Sequence, residues 1–233
     1  MSSFPKSLSL FLLATAIFFS SCANDDPEST LVEHKIIYDF KDEESSPEVR
    51  LSVFVALESK IQMGSSMKLV NEESGLEWNC SSTNLDKIEL KDMKWVGSTK
   101  FVPVKNEMFP SGSYRVVYED LAERECESSF ELKYSENLAE LKSTDIPTAI
   151  KSSISKKIAV YSNEDVLLYF GEEPANWTSS DAIIMDYKNA FSTRVCYTLS
   201  NNTVYCFMPP VILGNKDFIK ENADASNAEV HQE

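Results

Sequence analysis

Every second residue between positions 49 and 57 is aliphatic, and this alternation limits the possible folds more than any other feature of the chain. The residues are Val49, Leu51, Val53, Val55 and Leu57. Because successive side chains of a β-strand point to opposite faces, such a segment presents one aliphatic face to a core. Shorter alternations recur further along the chain, separated by breaks rich in Ser, Asn, Asp and Gly. The pattern predicts a mainly β protein.

A turn that leads into a tyrosine-rich strand is the most specific fold signal. Pro110-Ser111-Gly112 precedes Tyr114-Arg115-Val116-Val117-Tyr118, and alternation returns at residues 126–132 after a polar break. This arrangement resembles the last two strands of immunoglobulin-like and fibronectin type III sandwiches, and the resemblance extends over residues 33–134. It implies an immunoglobulin-like antiparallel sandwich over residues 32–135.

The sequence changes character after residue 135. Short helices are expected directly beyond it, one of them with Pro147 in its first turn. Residues 182–187 are predicted to form a strand, with a helix capped by Ser180 as the alternative. We therefore expect a smaller β-rich domain with short helices over residues 136–213. The polar residues 214–233 are expected to form a mobile tail with little to bury.

The amino terminus predicts export. Residues 8–19 form an almost continuous apolar run after Lys6. This run is about a dozen residues long, whereas a membrane-spanning helix needs about 20. Residues 1–21 are therefore interpreted as a signal peptide rather than a transmembrane anchor.

Phe19-Ser20-Ser21-Cys22 ends this segment and resembles the lipobox of bacterial lipoproteins, in the looser form of spirochaetes and Bacteroidetes. The resemblance implies cleavage before Cys22, lipidation of its thiol and acylation of the new amino terminus, with palmitate-type chains. Residues 22–31 would then be an acidic tether. The expected location is the bacterial outer membrane, reached through the lipid on Cys22, and the sequence leaves open which face the protein occupies. Two or more acyl chains give stable anchoring.

The charge balance argues against one class of partner. The chain carries 37 acidic and 22 basic residues, a net charge of −15. An acidic surface repels nucleic acid backbones, so we expect no nucleic acid partner.

Four cysteines remain once Cys22 is set aside, and an even number in an exported protein predicts two disulfides. Three connectivities are open, and we favour Cys80–Cys126 and Cys196–Cys206. The first pair lies on two alternating segments. The second pair is equidistant from Asn201, so an odd-length hairpin loop centred there would place the two cysteines opposite each other.

Few residues suggest catalysis or metal binding. The chain has two histidines, His34 and His231, and neither lies in a recognisable catalytic or zinc motif. The acidic runs 42–44 and 172–173 lack the spacing of a calcium loop. We therefore predict no catalytic residue, metal or cofactor. A carboxylate-based hydrolase of an envelope polymer is the alternative.

Trp177 is the candidate binding residue. It lies in the polar segment 171–180, where an exposed tryptophan would serve as an anchor for a partner. The alternative is that it folds back onto the core of the second domain. The expected function is a non-catalytic binding, adhesion or assembly module with a protein or glycan partner. A structural subunit of an envelope complex is the further alternative.

Overall fold

The computed structural model describes residues 26–58, 64–90, 92–104, 108–134, 136–150, 155–199 and 202–214. In chain order the strands there are β1 (Ser29–Asp39), β2 (Glu48–Leu57), β3 (Gly64–Asn71), β4 (Glu77–Ser81), β5 (Asp86–Leu90), β6 (Met93–Phe101), β7 (Gly112–Asp120), β8 (Glu125–Leu132), β9 (Ser155–Ser162), β10 (Leu167–Gly171), β11 (Ala190–Leu199), β12 (Val204–Phe207) and β13 (Val211–Ile212). The helices are α1 (Ile146–Ala149) and α2 (Ser180–Asp186), with 3₁₀ turns at Ser82–Asn84, Glu136–Glu140 and Ser143–Asp145. The predicted mainly β class is confirmed.

The first eight strands form a sandwich of two sheets. One layer has the order β1-β2-β6-β5, and the four-stranded short sheet has the order β4-β3-β7-β8. This is the ABED and C′CFG strand arrangement of immunoglobulin-like domains. All strand pairs within these two layers are antiparallel. The antiparallel β-sandwich expected from the sequence is therefore present.

The alternation read from the sequence places the aliphatic face of β2 in the core between the sheets. Leu51 and Val53 are fully buried there, and they pack in one cluster with Tyr38 from β1 and Tyr118 from β7. Tyr114, at the start of β7, donates its hydroxyl hydrogen to the carbonyl of Pro110 at 2.7 Å. A tyrosine that bonds back to the turn before the penultimate strand is a recurrent feature of this fold. The turn and the tyrosine that the sequence analysis singled out are thus joined by this hydrogen bond.

The carboxyl-terminal strands extend the first layer into a long, curled sheet of nine strands, with the order β10-β9-β11-β12-β1-β2-β6-β5 and β13 beside β11. The junction is a parallel pairing of β1 with β12, in which Ile36 lies opposite Val204 and Asp39 opposite Phe207. One hydrogen-bonded sheet therefore crosses the boundary expected after residue 135. A second, smaller core contains Ile158, Val160, Trp177 and Ile183.

Residues 182–187 are not a strand, so the preferred prediction for this segment is wrong. Helix α2 occupies the segment, and the side chain of Ser179 accepts a hydrogen bond from the backbone N–H of Ala182. The alternative of a capped helix was correct, with the cap one residue earlier than Ser180. An N-cap oxygen satisfies a backbone donor that has no partner inside the helix, which favours helix over strand here.

The structure differs from the expected Cys196–Cys206 disulfide, because both thiols are free. In the β11–β12 hairpin Cys196 lies opposite Phe207, and Cys206 lies opposite Tyr197. This register is offset by one residue from the expected one, and a one-residue offset moves a side chain to the other face of the sheet. Cys206 faces the sandwich core with Tyr197, whereas Cys196 lies on the opposite face.

The Cys80–Cys126 disulfide is also absent, and both thiols are free. The two residues do lie in one row of the short sheet, since Cys80 faces Met67, Met67 faces Tyr118, and Tyr118 faces Cys126. Three strand spacings of about 4.8 Å separate their backbones by about 14 Å, whereas a disulfide needs Cα atoms within about 7 Å.

The signal peptide, Cys22 and residues 215–233 of the expected tail lie outside the described residues. Among the residues that the structure does describe, no helix combines the length and the apolar character needed to cross a bilayer.

Candidate functional site

A cleft of about 430 Å³ lies where the two cores meet, on the same face of the long sheet as the sandwich core. We call it the junction cleft. Tyr197 and Met208 pack against the first core, and Ile158 and Val211 belong to the second. Its other lining residues are Glu43, Ser143, Thr144, Pro147, Lys156, Glu173, Thr193, Val195, Pro209 and Pro210.

The wall at residues 208–211 is fixed in place, because both the N–H and the carbonyl of Met208 form hydrogen bonds with β11. The N–H of Met208 donates to the carbonyl of Val195 at 2.8 Å. The Nε of Arg194 donates to the carbonyl of Met208 at 2.7 Å. Two consecutive prolines follow, and their fixed φ angles stiffen the backbone further. The cleft is therefore largely pre-formed on this side, as ligand sites usually are.

Arg194 itself is fixed by a buried carboxylate. Its Nη2 lies 2.6 Å from Oδ1 of Asp39, a residue that is only 3% exposed, and it also donates to the carbonyls of Phe40 and Phe207. Arg50 and Lys41 approach the other oxygen of Asp39, each at 2.9 Å. Burial by itself would raise the pKa of Asp39, but Arg194, assisted by Lys41 and Arg50, holds that pKa below its ordinary value. The carboxylate is thus ionised at neutral pH and locks β1 to β11 across the junction.

Each of the two acidic runs of the sequence contributes one residue to the cleft. Glu43 comes from the loop after β1 and Glu173 from the loop after β10, and both line it. The Nζ of Lys156 lies 3.7 Å from Oε2 of Glu173. No group of three or more His, Cys, Asp and Glu side chains in the described ranges is arranged to hold a metal ion.

Trp177 is not an exposed anchor, so its assignment as a binding residue is corrected. Its side chain is 6% exposed and lies in the second core, with edge-to-face ring contacts to Tyr169 and Tyr187 at centroid distances of 4.9 and 5.9 Å. Its indole N–H donates to Oδ2 of Asp186 at 2.6 Å. The alternative, a tryptophan that folds back onto the second core, is what the structure contains.

His34 is likewise a packing residue. Its ring stacks on Phe130 at a centroid distance of 4.4 Å, between the two sheets. Burial, together with the charge of Lys35, lowers its pKa, so the imidazole is neutral at physiological pH. His231 lies outside the described residues.

The opposite face of the long sheet carries a cluster of aromatic rings. The ring centroids of Phe170 on β10 and Phe207 on β12 are 5.9 Å apart, although β9 and β11 lie between these two strands. In a flat sheet these strands would be about 14 Å apart, so the sheet curls and this face is concave here. Ala159 and Cys196 lie on the two intervening strands and are fully buried. The concavity is therefore filled by the protein's own side chains.

The cysteines are poor nucleophiles in this setting. Burial raises the pKa of Cys196 to about 12 and that of Cys206 to about 12. Burial also raises the pKa of Cys126 to about 11. Such thiols stay protonated at neutral pH, and the thiolate is the reactive form.

Sequence reasoning missed most of the residues that line the cleft. Ser143, Thr144 and Pro147 lay in a segment predicted to form short helices, with no functional role assigned. Of the lining residues, only those of the two acidic runs were considered as possible ligands, and their spacing did not predict a site. Residues 43, 143, 173 and 208 are far apart in the chain, so no local motif could have grouped them.

No family model, curated protein or solved structure matches this chain.

Proposed function

We propose that this protein is a lipid-anchored bacterial envelope protein whose junction cleft binds a protein or glycan segment without chemical turnover. The anchor would be the lipidated Cys22, and the tether that follows it would hold the sandwich off the membrane. The observation that carries the binding role is the pre-formed cleft between the two cores. Its volume of about 430 Å³ falls within the range of about 300–1,000 Å³ typical of ligand sites.

The lining suits an extended segment with both apolar and hydrogen-bonding groups. Tyr197, Met208 and the prolines offer apolar surface, while Ser143, Thr144 and Thr193 offer hydroxyls. Lys156 and Glu173 add one charge of each sign beside each other. Neutral hydroxyls next to aromatic and aliphatic surface favour a sugar chain or a short peptide over a strongly charged ligand.

The test compares a blocked cleft with a matched control. Thr144 is an exposed lining residue, so Thr144→Trp should obstruct the cleft without disturbing the core. Thr83→Trp introduces the same bulk in an exposed 3₁₀ turn that does not line the cleft. Binding of the full chain to purified envelope glycan and to peptides from envelope proteins is measured by calorimetry. Loss of binding in Thr144→Trp but not in Thr83→Trp supports the proposal, and equal binding by both variants contradicts it.

Hydrolysis of an envelope polymer is the second candidate, because two carboxylates from distant loops, Glu43 and Glu173, line the same cleft. A glycosidase uses two carboxyl groups on opposite sides of the scissile bond. The experiment measures new reducing ends after the full chain is incubated with envelope glycan. Release that disappears in Glu43→Gln or in Glu173→Gln would replace the binding role by an enzymatic one.

The anchor has its own test. Cells fed an alkyne-labelled palmitate should label the wild-type chain and not the Cys22→Ser variant, which should appear in the soluble fraction. Protease treatment of intact cells, with lysed cells as control, then assigns the exposed face. A chain that takes up no label and partitions as the variant does would refute lipid anchoring.

A further inference from the structure

Within the part of the chain that the structure describes, the outer side of β5, at the end of the long sheet, is not paired with another strand. On its other side β5 pairs with β6, and all five of its residues, Asp86–Leu90, are exposed. An edge strand presents a row of backbone N–H and C=O groups on which another strand can pair. Proteins often protect such edges by covering them, keeping them short or placing charges on them. β5 is short and carries three charged residues, but no described strand pairs with its outer side.

An exposed apolar surface adjoins this edge. Leu31, Ala56, Trp95 and Ile88 lie opposite one another in a row across β1, β2, β6 and β5. Leu90 and Met93 continue the same face, because they pair with each other two residues beyond Ile88 and Trp95. Ile88, Leu90 and Met93 are 45%, 56% and 36% exposed, whereas Ala56 and Trp95, which separate them from the exposed Leu31, are buried. We call Ile88, Leu90 and Met93 the apolar edge patch.

The three central residues of β5 are complementary to themselves in one antiparallel register, in which Asp86 falls opposite Leu90 at the two ends. With Ile88 opposite the Ile88 of a second copy, Lys87 lies opposite Glu89 of that copy, and Glu89 lies opposite its Lys87. Opposite charges at directly opposed positions stabilise a strand pair, and like charges destabilise it. Moving the axis by one residue in either direction would place Lys87 opposite Lys87 or Glu89 opposite Glu89. The favoured register is thus set by the charges.

The same register joins the apolar surfaces. Directly opposed residues of an antiparallel pair lie on one face of the sheet. Pairing Ile88 with Ile88 therefore puts the apolar edge patches of both copies on the same side and next to each other. An axis that falls between two residues would instead set Ile88 beside a charged residue and turn the patches to opposite faces.

We propose that two copies of this chain associate through antiparallel pairing of their β5 strands, centred on Ile88, so that the two long sheets become one continuous sheet. The interface is isologous, with the same patch on both copies, as in most homodimers. This pairing is independent of binding in the junction cleft, to which β5 contributes no residue.

The first test is a charge reversal with rescue. The mass of the full chain in detergent is measured by sedimentation at about 0.15 M salt, where only close charges interact strongly. Lys87→Glu and Glu89→Lys should each weaken dimerisation about tenfold, because each creates two like-charge oppositions. The double variant Lys87→Glu with Glu89→Lys restores both opposite-charge pairs and should dimerise like the wild type.

The second test is a crosslink at the axis. Directly opposed Cβ atoms in an antiparallel pair lie about 4.5–5.5 Å apart, close to disulfide range. Ile88→Cys should therefore form a covalent dimer under mild oxidation. Leu167→Cys is the matched control, since Leu167 is 51% exposed on β10, the edge strand at the other end of the long sheet. It should remain uncrosslinked, as should the wild type.

Three results would overturn the proposal. One is a monomer at about 100 μM. Another is a dimer whose mass is insensitive to charge reversal and which Ile88→Cys does not crosslink. The third is a monomer that binds vesicles of phosphatidylethanolamine and phosphatidylglycerol and loses this binding in Ile88→Glu, because the apolar edge patch would then face a bilayer rather than a second copy.

Discussion

Replacing Asp39 by asparagine should destabilise the whole molecule, because this one carboxylate binds cations from several strands. Asp39 ends β1, and its partners Arg50 and Arg194 lie on β2 and β11. Arg194 is mostly buried, and it also donates to the carbonyls of Phe40, Phe207 and Met208. Asparagine keeps the shape of the side chain and removes its charge. The guanidinium of Arg194 would then be buried beside a neutral group.

The expected loss is about 3 kcal/mol of unfolding free energy. Breaking a buried ion pair by removing one partner costs about 3–5 kcal/mol, and the lower end applies because asparagine can still accept one hydrogen bond. Lys41 is half-exposed, so its contact with Asp39 adds at most about 1 kcal/mol. For a chain of this size, a loss of about 3 kcal/mol lowers Tm by about 6–12 °C.

The effect should also depend on pH. The pKa of Asp39 is lowered in the folded protein, so its ionised form stabilises the fold fully above the unfolded-state pKa of about 3.9. This contribution is lost as pH falls through the lower, folded-state pKa. The difference in stability between the wild type and Asp39→Asn should therefore be constant from pH 7 to about pH 5 and should shrink below about pH 4.

Urea unfolding followed by circular dichroism at pH 7, 5 and 3.5 measures both effects. Glu48→Gln is the matched control: Glu48 also approaches Lys41, at 3.5 Å, but its side chain is 71% exposed, so the change should cost less than about 1 kcal/mol. Equal stability of wild type and Asp39→Asn at pH 7 would refute the reasoning. So would a difference that grows on acidification, since protonation removes the charge that the variant lacks.

Three further predictions concern the sandwich and the thiols. Tyr114→Phe removes the hydroxyl bonded to Pro110 and should cost about 1 kcal/mol in urea unfolding, with no change in circular dichroism. Gly97→Ala should cost about 1–3 kcal/mol, because a Cβ there would lie 2.6 Å from the Phe54 ring and closer still to backbone, and a melting curve equal to wild type would contradict this. The buried thiols, with Cys196 as the example, should react with a disulfide reagent only after unfolding. Intact mass should then show four free thiols besides Cys22, and a mass 4 Da lower before reduction would indicate two disulfides.

Local pattern predicted the sandwich well, because burying one face of a strand imposes period-2 alternation wherever the strand lies. Residues 49–57 became β2, and the turn before Tyr114 became the start of β7. The preferred prediction was wrong at residues 182–187, where the apolar residues are compatible with a strand as well as with a helix. The cap at Ser179 decided for the helix. That contact depends on one side chain, so a pattern over several residues did not reveal it.

The β11–β12 hairpin shows that local pattern can predict two strands without predicting their register. Its two strands were predicted from alternation, but their register was inferred from the symmetry of the cysteines about Asn201. The structure shifts the register by one residue, so that Tyr197 and Leu199 share the core face with Val204 and Cys206. The expected register would have turned Thr198 toward the core instead. The hairpin sequence is compatible with both registers. The observed one is favoured because it buries the apolar side chains of β11 and β12 in the sandwich core.

Alternation along the chain was enough to predict most strands and their apolar faces, residues 182–187 excepted, since both depend on neighbours one or two residues away. Packing in the folded chain set three other outcomes: β12 pairs with β1, Trp177 is buried, and Glu43 and Glu173 line one cleft. The β1–β12 pairing and the cleft bring together residues more than 100 positions apart, whereas the burial of Trp177 depends on side chains of β9, β10 and α2 that assemble into the second core. Such contacts are selected by the total area buried in the folded chain, which no short stretch of sequence contains.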